Sequence, residues 1–99
     1  MIIVATMTVR RDALGTFRSF ERQAAAIMAK YGGAIERTVV VDNGSGPLQE
    51  IHFVSFPGEQ AFIAYRTDED LQRLAPLREQ SIISTEIARG EAGPDYRPE

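Results

Sequence analysis

A single histidine, His52, stands among the strand-forming residues of LQEIHFVSF. Imidazole is the side chain whose ordinary titration falls near neutrality, so a histidine facing a cavity could act as a general base. In the same stretch it could equally be a hydrogen-bonded strand residue. Three more residues could serve the same site. Tyr65, in AFIAYR, offers a hydroxyl as hydrogen-bond donor, or else packs as a helical-face aromatic. Arg78 follows Pro76-Leu77 and has a planar fork suited to a substrate carboxylate, or to backbone carbonyls if it secures a loop. Arg37 lies in a strand with Glu86, Thr6 and Thr8 in comparable positions. There it either lines a wet cavity as a second ligand-binding residue or pairs with a partner copy. The acids Asp68-Glu69-Asp70 are consecutive in a helix and point three ways, so they do not converge on a metal ion; helix capping explains them. Gly44 to Pro47 has neither phosphate-loop spacing nor a lysine. No metal and no cofactor is implied.

The elements that must carry these residues follow from periodicity. Residues 2–9 alternate and are apolar on both faces, which predicts a strand. Asp12 is the expected N-cap of a helix over about 12–31, whose stripe is Leu14, Phe17, Phe20, Ala24, Ile27 and Tyr31. Gly32-Gly33 closes it. Residues 34–41 and 48–56 predict strands joined by the turn chemistry of DNGSGP. Pro57 ends the second of these strands, and Gly58 caps a short helix bearing Ala61, Phe62 and Tyr65. Thr67 with Asp70 resembles a capping box restarting that helix, and Pro76 is expected to end it. Residues 82–89 predict a fourth strand, and 91–99 a tail after a single domain spanning 1–90.

The order strand–helix–strand–strand–helix–strand is the α+β ferredoxin-like split βαβ: a four-stranded antiparallel sheet with both helices on one face. Strands one and three are apolar on both faces, so the face without helices should meet a second copy, giving a homodimer.

Several short motifs match a known pattern: Tyr31-Gly32-Gly33, Phe56-Pro57, Ala61-Phe62, Ala64-Tyr65, Leu71, Pro76-Leu77-Arg78, Ser84-Thr85-Glu86-Ile87 and Gly93-Pro94-Asp95-Tyr96. With them the chain resembles the dimeric α/β-barrel superfamily, and most of all a bacterial branch of domains of unknown function related to antibiotic-biosynthesis monooxygenases. The resemblance implies two sheets pressed together and a small-molecule cavity at the sheet. It also implies a bent second crossover, which would explain the helix break at Thr67. The tryptophan and pocket asparagine associated with the monooxygenase and haem-degrading branches have no counterpart: the chain has no Trp, and Asn43 lies in a turn.

Composition sets outer bounds. The 99 residues fit one domain, and at this length help from oligomerisation is expected. There is no cysteine, hence no thiolate nucleophile or cysteine metal site. The net charge is −3, with no basic stripe, which excludes the usual footprint of a nucleic-acid binder. MIIVATMTV lacks a basic leader and is too short to span a bilayer, so a cytoplasmic protein without membrane contact is expected. Two functions remain open. One is a cofactor-independent small-molecule enzyme of oxygenase or isomerase type, with His52 and Tyr65 in the chemistry and Arg78 and Arg37 holding a small acidic metabolite. The other is a non-enzymatic dimer that binds a metabolite or another protein. An enclosed cavity with His52 and an arginine converging favours the first; a solidly packed interior favours the second.

Overall fold

The computed structural model describes residues 1–98. Four strands, β1 (Ile2–Val9), β2 (Ala34–Val41), β3 (Leu48–Ser55) and β4 (Ile82–Gly90), form an antiparallel sheet in the order β2-β3-β1-β4. The first crossover is α1 (Leu14–Ala29); the second is α2 (Glu59–Arg66), α3 (Glu69–Gln72) and α4 (Ala75–Ser81). This is the expected ferredoxin-like arrangement, with strand limits within a residue of those read from alternation.

Alternation decides which face each strand residue takes. In β1, Ile3, Met7 and Val9 are buried toward the helices, while Ile2, Val4, Thr6 and Thr8 are half-exposed on the other face. In β3, Leu48, Glu50, His52 and Val54 face inward, and Ile51 and Phe53 face out. Strand register puts Arg37 beside Phe53, and Thr6 between Ile51 and Glu86, on the uncovered face. Beside these polar groups that face carries Phe53 and Val41 at 36% and 39% exposure, apolar area that water does not favour.

Helix α1 buries Phe17, Phe20, Ala24, Ile27 and Met28 against the sheet. Asp12 is not its cap: a single 3-10 turn, Arg11–Ala13, precedes the helix, and among the described residues no side chain caps it. Arg11 instead reaches across to Asp42 (2.5 Å) and the Gly46 carbonyl (2.8 Å), pinning the β2–β3 loop. The helix ends where Gly32 turns to φ 73°, and a Cβ on Gly33 would collide with the Phe56 ring and Met28.

The second crossover corrects two expectations. Thr67 does not restart a helix. Its hydroxyl donates to the carbonyls of Ile63 (3.0 Å) and Ala64 (3.3 Å), so it closes α2. Asp68 is the N-cap of α3, accepting from the amides of Asp70 (2.7 Å) and Leu71 (3.3 Å). Pro76 does not end a helix either; it occupies the first turn of α4, where its missing N–H has no cost. Because the chain breaks at Thr67 and again before Ala75, the second crossover is made of three short helices. Tyr31 donates to Asp68 (2.5 Å) and Lys30 to Asp70 (3.1 Å), tying this crossover to the end of α1.

The core is divided. One cluster holds Ile3, Met28, Val54, Phe56 and Phe62; the other holds Met7, Val9, Phe17 and Leu48. His52 and Ala5 pair on β3 and β1 between them.

Candidate active site

Where the two clusters part, a cavity of about 280 Å3 opens between sheet and helices. That is roughly twice the ~150 Å3 that accommodates benzene in an apolar cavity, so it suits a single substituted ring or a molecule of that size. Its walls are mostly apolar, including Ile3, Met7, Phe20, Phe56 and Phe62, with Glu21, His52, Tyr65 and Arg78 among them. The cavity therefore lies on the helix-covered face within the chain, not on the open face of the sheet. His52, Tyr65 and Arg78, which the sequence placed on a strand, a helix and a presumed loop, are brought together. Arg37 is not: it points from the opposite face.

His52 is almost wholly buried and is flanked by two carboxylates that the sequence reading missed. Its Nε2 lies 2.8 Å from Oε1 of Glu50, two residues away on the same inward face of β3. Its Nδ1 lies 3.5 Å from Oε2 of Glu21, which α1 lowers onto the sheet one turn beyond Phe17. Both signals were in the sequence. Glu50 interrupts the inward alternation Leu48, His52, Val54, and Glu21 sits four residues after Phe17 and three before Ala24, within the buried stripe. A carboxylate in either position is a conflict between pattern and chemistry, of the kind found at functional or strained places.

Electrostatics distinguish the groups. Burial pushes the Glu21 carboxyl above the ordinary glutamate range; His52 opposes this, Glu50 reinforces it and Arg78 opposes it. Glu21 thus carries a proton more readily than a surface carboxylate and exposes a small part of its side chain to the cavity. Burial also raises the Tyr65 phenol, to about 12, with Glu21 adding to the shift and Arg78 countering it. The tyrosine remains a neutral donor at any working pH, its ring held 5.5 Å from that of Phe56. The guanidinium of Arg78 makes no hydrogen bond or ion pair among the described residues; it is exposed on α4 and faces the cavity mouth. The loop-securing role the sequence allowed for it therefore has no bond to support it.

The acids of α3 are spent on structure. Asp68 and Asp70 pair with Lys30, and Asp70 also with Arg73. A wider depression of about 490 Å3 beside Tyr31 and Asp68 is open to solvent and lined by these paired groups. Glu21, His52 and Glu50 lie in a row with the imidazole in the middle, so they do not surround one ion; among the described residues no group of three ligating side chains does.

Solved structures share this architecture. A protein of unknown function from Rhodopseudomonas palustris superposes with a TM-score of 0.75 at 13% identity, over 95% of this chain and 83% of that one. An antibiotic biosynthesis monooxygenase matches with a TM-score of 0.70 at 14% identity, over 95% and 100%. SnoaB, a cofactor-independent oxygenase from Streptomyces nogalater, matches with a TM-score of 0.64 at 13% identity, over 93% and 94%. The chain shares with these proteins the α+β ferredoxin-like fold. At these identities the likeness carries the fold and not the chemistry. No protein-family model and no curated protein matches the chain. No helix among the described residues is long and apolar enough to cross a membrane.

Proposed function

We propose that the protein is a cytoplasmic, homodimeric, cofactor-independent enzyme that removes a proton from a small, weakly acidic metabolite bound between sheet and helices. The observation that carries this is the row Glu21–His52–Glu50 ending at a mostly apolar cavity. Burying two carboxylates and an imidazole costs stability that apolar residues would not. Glu21 is the acid–base group nearest the ligand, and Nδ1 of His52 stands behind it to exchange its proton. Arg78 attracts the anionic end of the ligand at the mouth, and the Tyr65 hydroxyl donates to the oxygen on which charge develops.

In this scheme the C–H or O–H bond of the substrate breaks, the proton passes to Glu21 and the electron pair stays on the substrate as an enolate or phenolate. Returning the proton to another carbon gives an isomerase. Adding dioxygen to the anionic carbon forms a C–O bond and, with the proton returned, a hydroperoxide. Its O–O bond then breaks with loss of water to leave a carbonyl, which is an oxygenase outcome, the activity named for SnoaB. The dimer rests on the apolar outer face of Ile51, Phe53 and Val4, which a second sheet would cover.

The test uses small enolisable ketones and phenolic ring compounds. Deuterium exchange at carbon is followed by NMR, and oxygen uptake with an electrode. The wild-type chain should accelerate one or both, and Glu21→Gln should lose a factor of roughly 10²–10⁴, the usual share of a general base. Saturable binding of these probes with neither exchange nor uptake would reduce the protein to a binding module.

A further inference from the structure

We infer that Glu50, which does not line the cavity, is a positioning residue: it accepts the Nε2 proton of His52 and so turns the Nδ1 lone pair of the neutral ring toward Glu21. The inference deepens the proton-transfer proposal and rests on it.

A neutral imidazole has one N–H and one lone pair, and the partner of one nitrogen decides the state of the other. The contact of Nε2 with Glu50 is 2.8 Å, a hydrogen bond. The contact of Nδ1 with Glu21 is 3.5 Å, within reach of a charge but too long for a strong hydrogen bond. The ring N–H therefore belongs on the Glu50 side. The groups that bear on the ring come from every element around it: Glu50 from β3, Glu21 from α1, and, through Glu21, Arg78 from α4 and Tyr65 from α2. Glu21 opens onto the cavity and can trade its proton with a bound molecule; Glu50 cannot.

Glu50 also makes a poor core residue. Its Oε2 is buried without a hydrogen-bond partner among the described residues. A methionine in its place would fill similar space and orphan nothing on that side, so packing alone does not account for a carboxylate here. Orienting the ring does.

The sole histidine makes the test direct, because ring-15N labelling gives signals from His52 alone. At a pH where the ring is neutral, the wild type should carry its proton on Nε2 over Nδ1 by at least about tenfold, the bias expected of one charge-assisted hydrogen bond. Glu50→Met should erase that bias, the ratio falling at least about tenfold as the N–H turns to Glu21. Glu50→Gln keeps an acceptor oxygen and should restore most of the Nε2–H form. A wild-type proton on Nδ1 overturns the inference by itself, even if Glu50→Met fails to fold. An unchanged ring pattern in folded Glu50→Met overturns it too. These spectra require no substrate, so the role of Glu50 is decided independently of whether the exchange and oxygen-uptake assays show turnover.

Discussion

Phe62→Ala should remove much of what holds the second crossover to the sheet. Phe62 is 3% exposed and belongs to the cluster of Ile3, Met28, Val54 and Phe56. Its ring lies 5.4 Å from that of Phe56, and the guanidinium groups of Arg66 and Arg89 sit over it at 5.4 and 5.3 Å. Truncating a buried phenylalanine costs about 3–5 kcal/mol. That range already includes such contacts; the aromatic pair, on the order of 0.5–1.5 kcal/mol, and the partly exposed cation–π contacts, about 0.5–1 kcal/mol each, favour its upper end. One feature works the other way: Phe62 already lines the cavity, so the new space merges with it and the penalty for an isolated hole is smaller. These effects leave a loss of about 3–5 kcal/mol, a large part of the roughly 5–15 kcal/mol of a typical domain. Helix α2 has eight residues, too few to persist without this anchor. Urea denaturation followed by far-UV circular dichroism measures the change, with Phe62→Leu as the milder reference. A loss below about 1 kcal/mol would show that the ring does not carry the contact between α2 and the sheet.

Three further outcomes are expected. The raised carboxyl of Glu21 makes its folded form favour the proton, so its contribution is intact below the unfolded glutamate range near pH 4.5 and is lost as pH rises through the folded value. Glu21→Gln should therefore gain in melting temperature relative to wild type as pH is raised from about 4 to 8; a constant difference across that range refutes the burial of a titrating group. Val4→Asp, on the outer face, should convert a dimer into a soluble monomer or an unfolded chain by light scattering, and a wild-type particle of 11.0 kDa that is stable and folded refutes the dimer. Small carboxylates should raise the wild-type melting temperature, by up to about 2.7 kcal/mol of stabilisation at a hundredfold excess over Kd, and not that of Arg78→Ala; equal shifts in both exclude Arg78 as the anion contact.

The periodicity of this chain by itself determined its strands, its first helix and their order, because a two-residue repeat and a three-to-four-residue stripe allow few other packings. Apolar residues on both faces of β1 and β3 implied a second apolar surface, and only the burial of Val54 beneath the helices decides that Val4 and Phe53 are the ones that look outward. Local capping was less readable: Thr67 and Asp68 both suit a helix end, and only the hydrogen bonds of Thr67 to Ile63 and Ala64 show which closes α2 and which opens α3. Pro76 suits the start of a helix as well as its end, and α4 went unread for that reason. The site depended most on tertiary structure. His52, Tyr65 and Arg78 were each visible as residue types, but nothing local says that β3, α2 and α4 aim them at one space, or that Arg37 faces away. Glu21 and Glu50 were hidden by their own charge, since a glutamate beside apolar residues reads as solvent-facing until the opposing element is in place. Helix α1 crosses over β3 and sets Glu21 against the ring that Glu50 already holds. That contact joins residues far apart in the chain, and chain folding alone could create it.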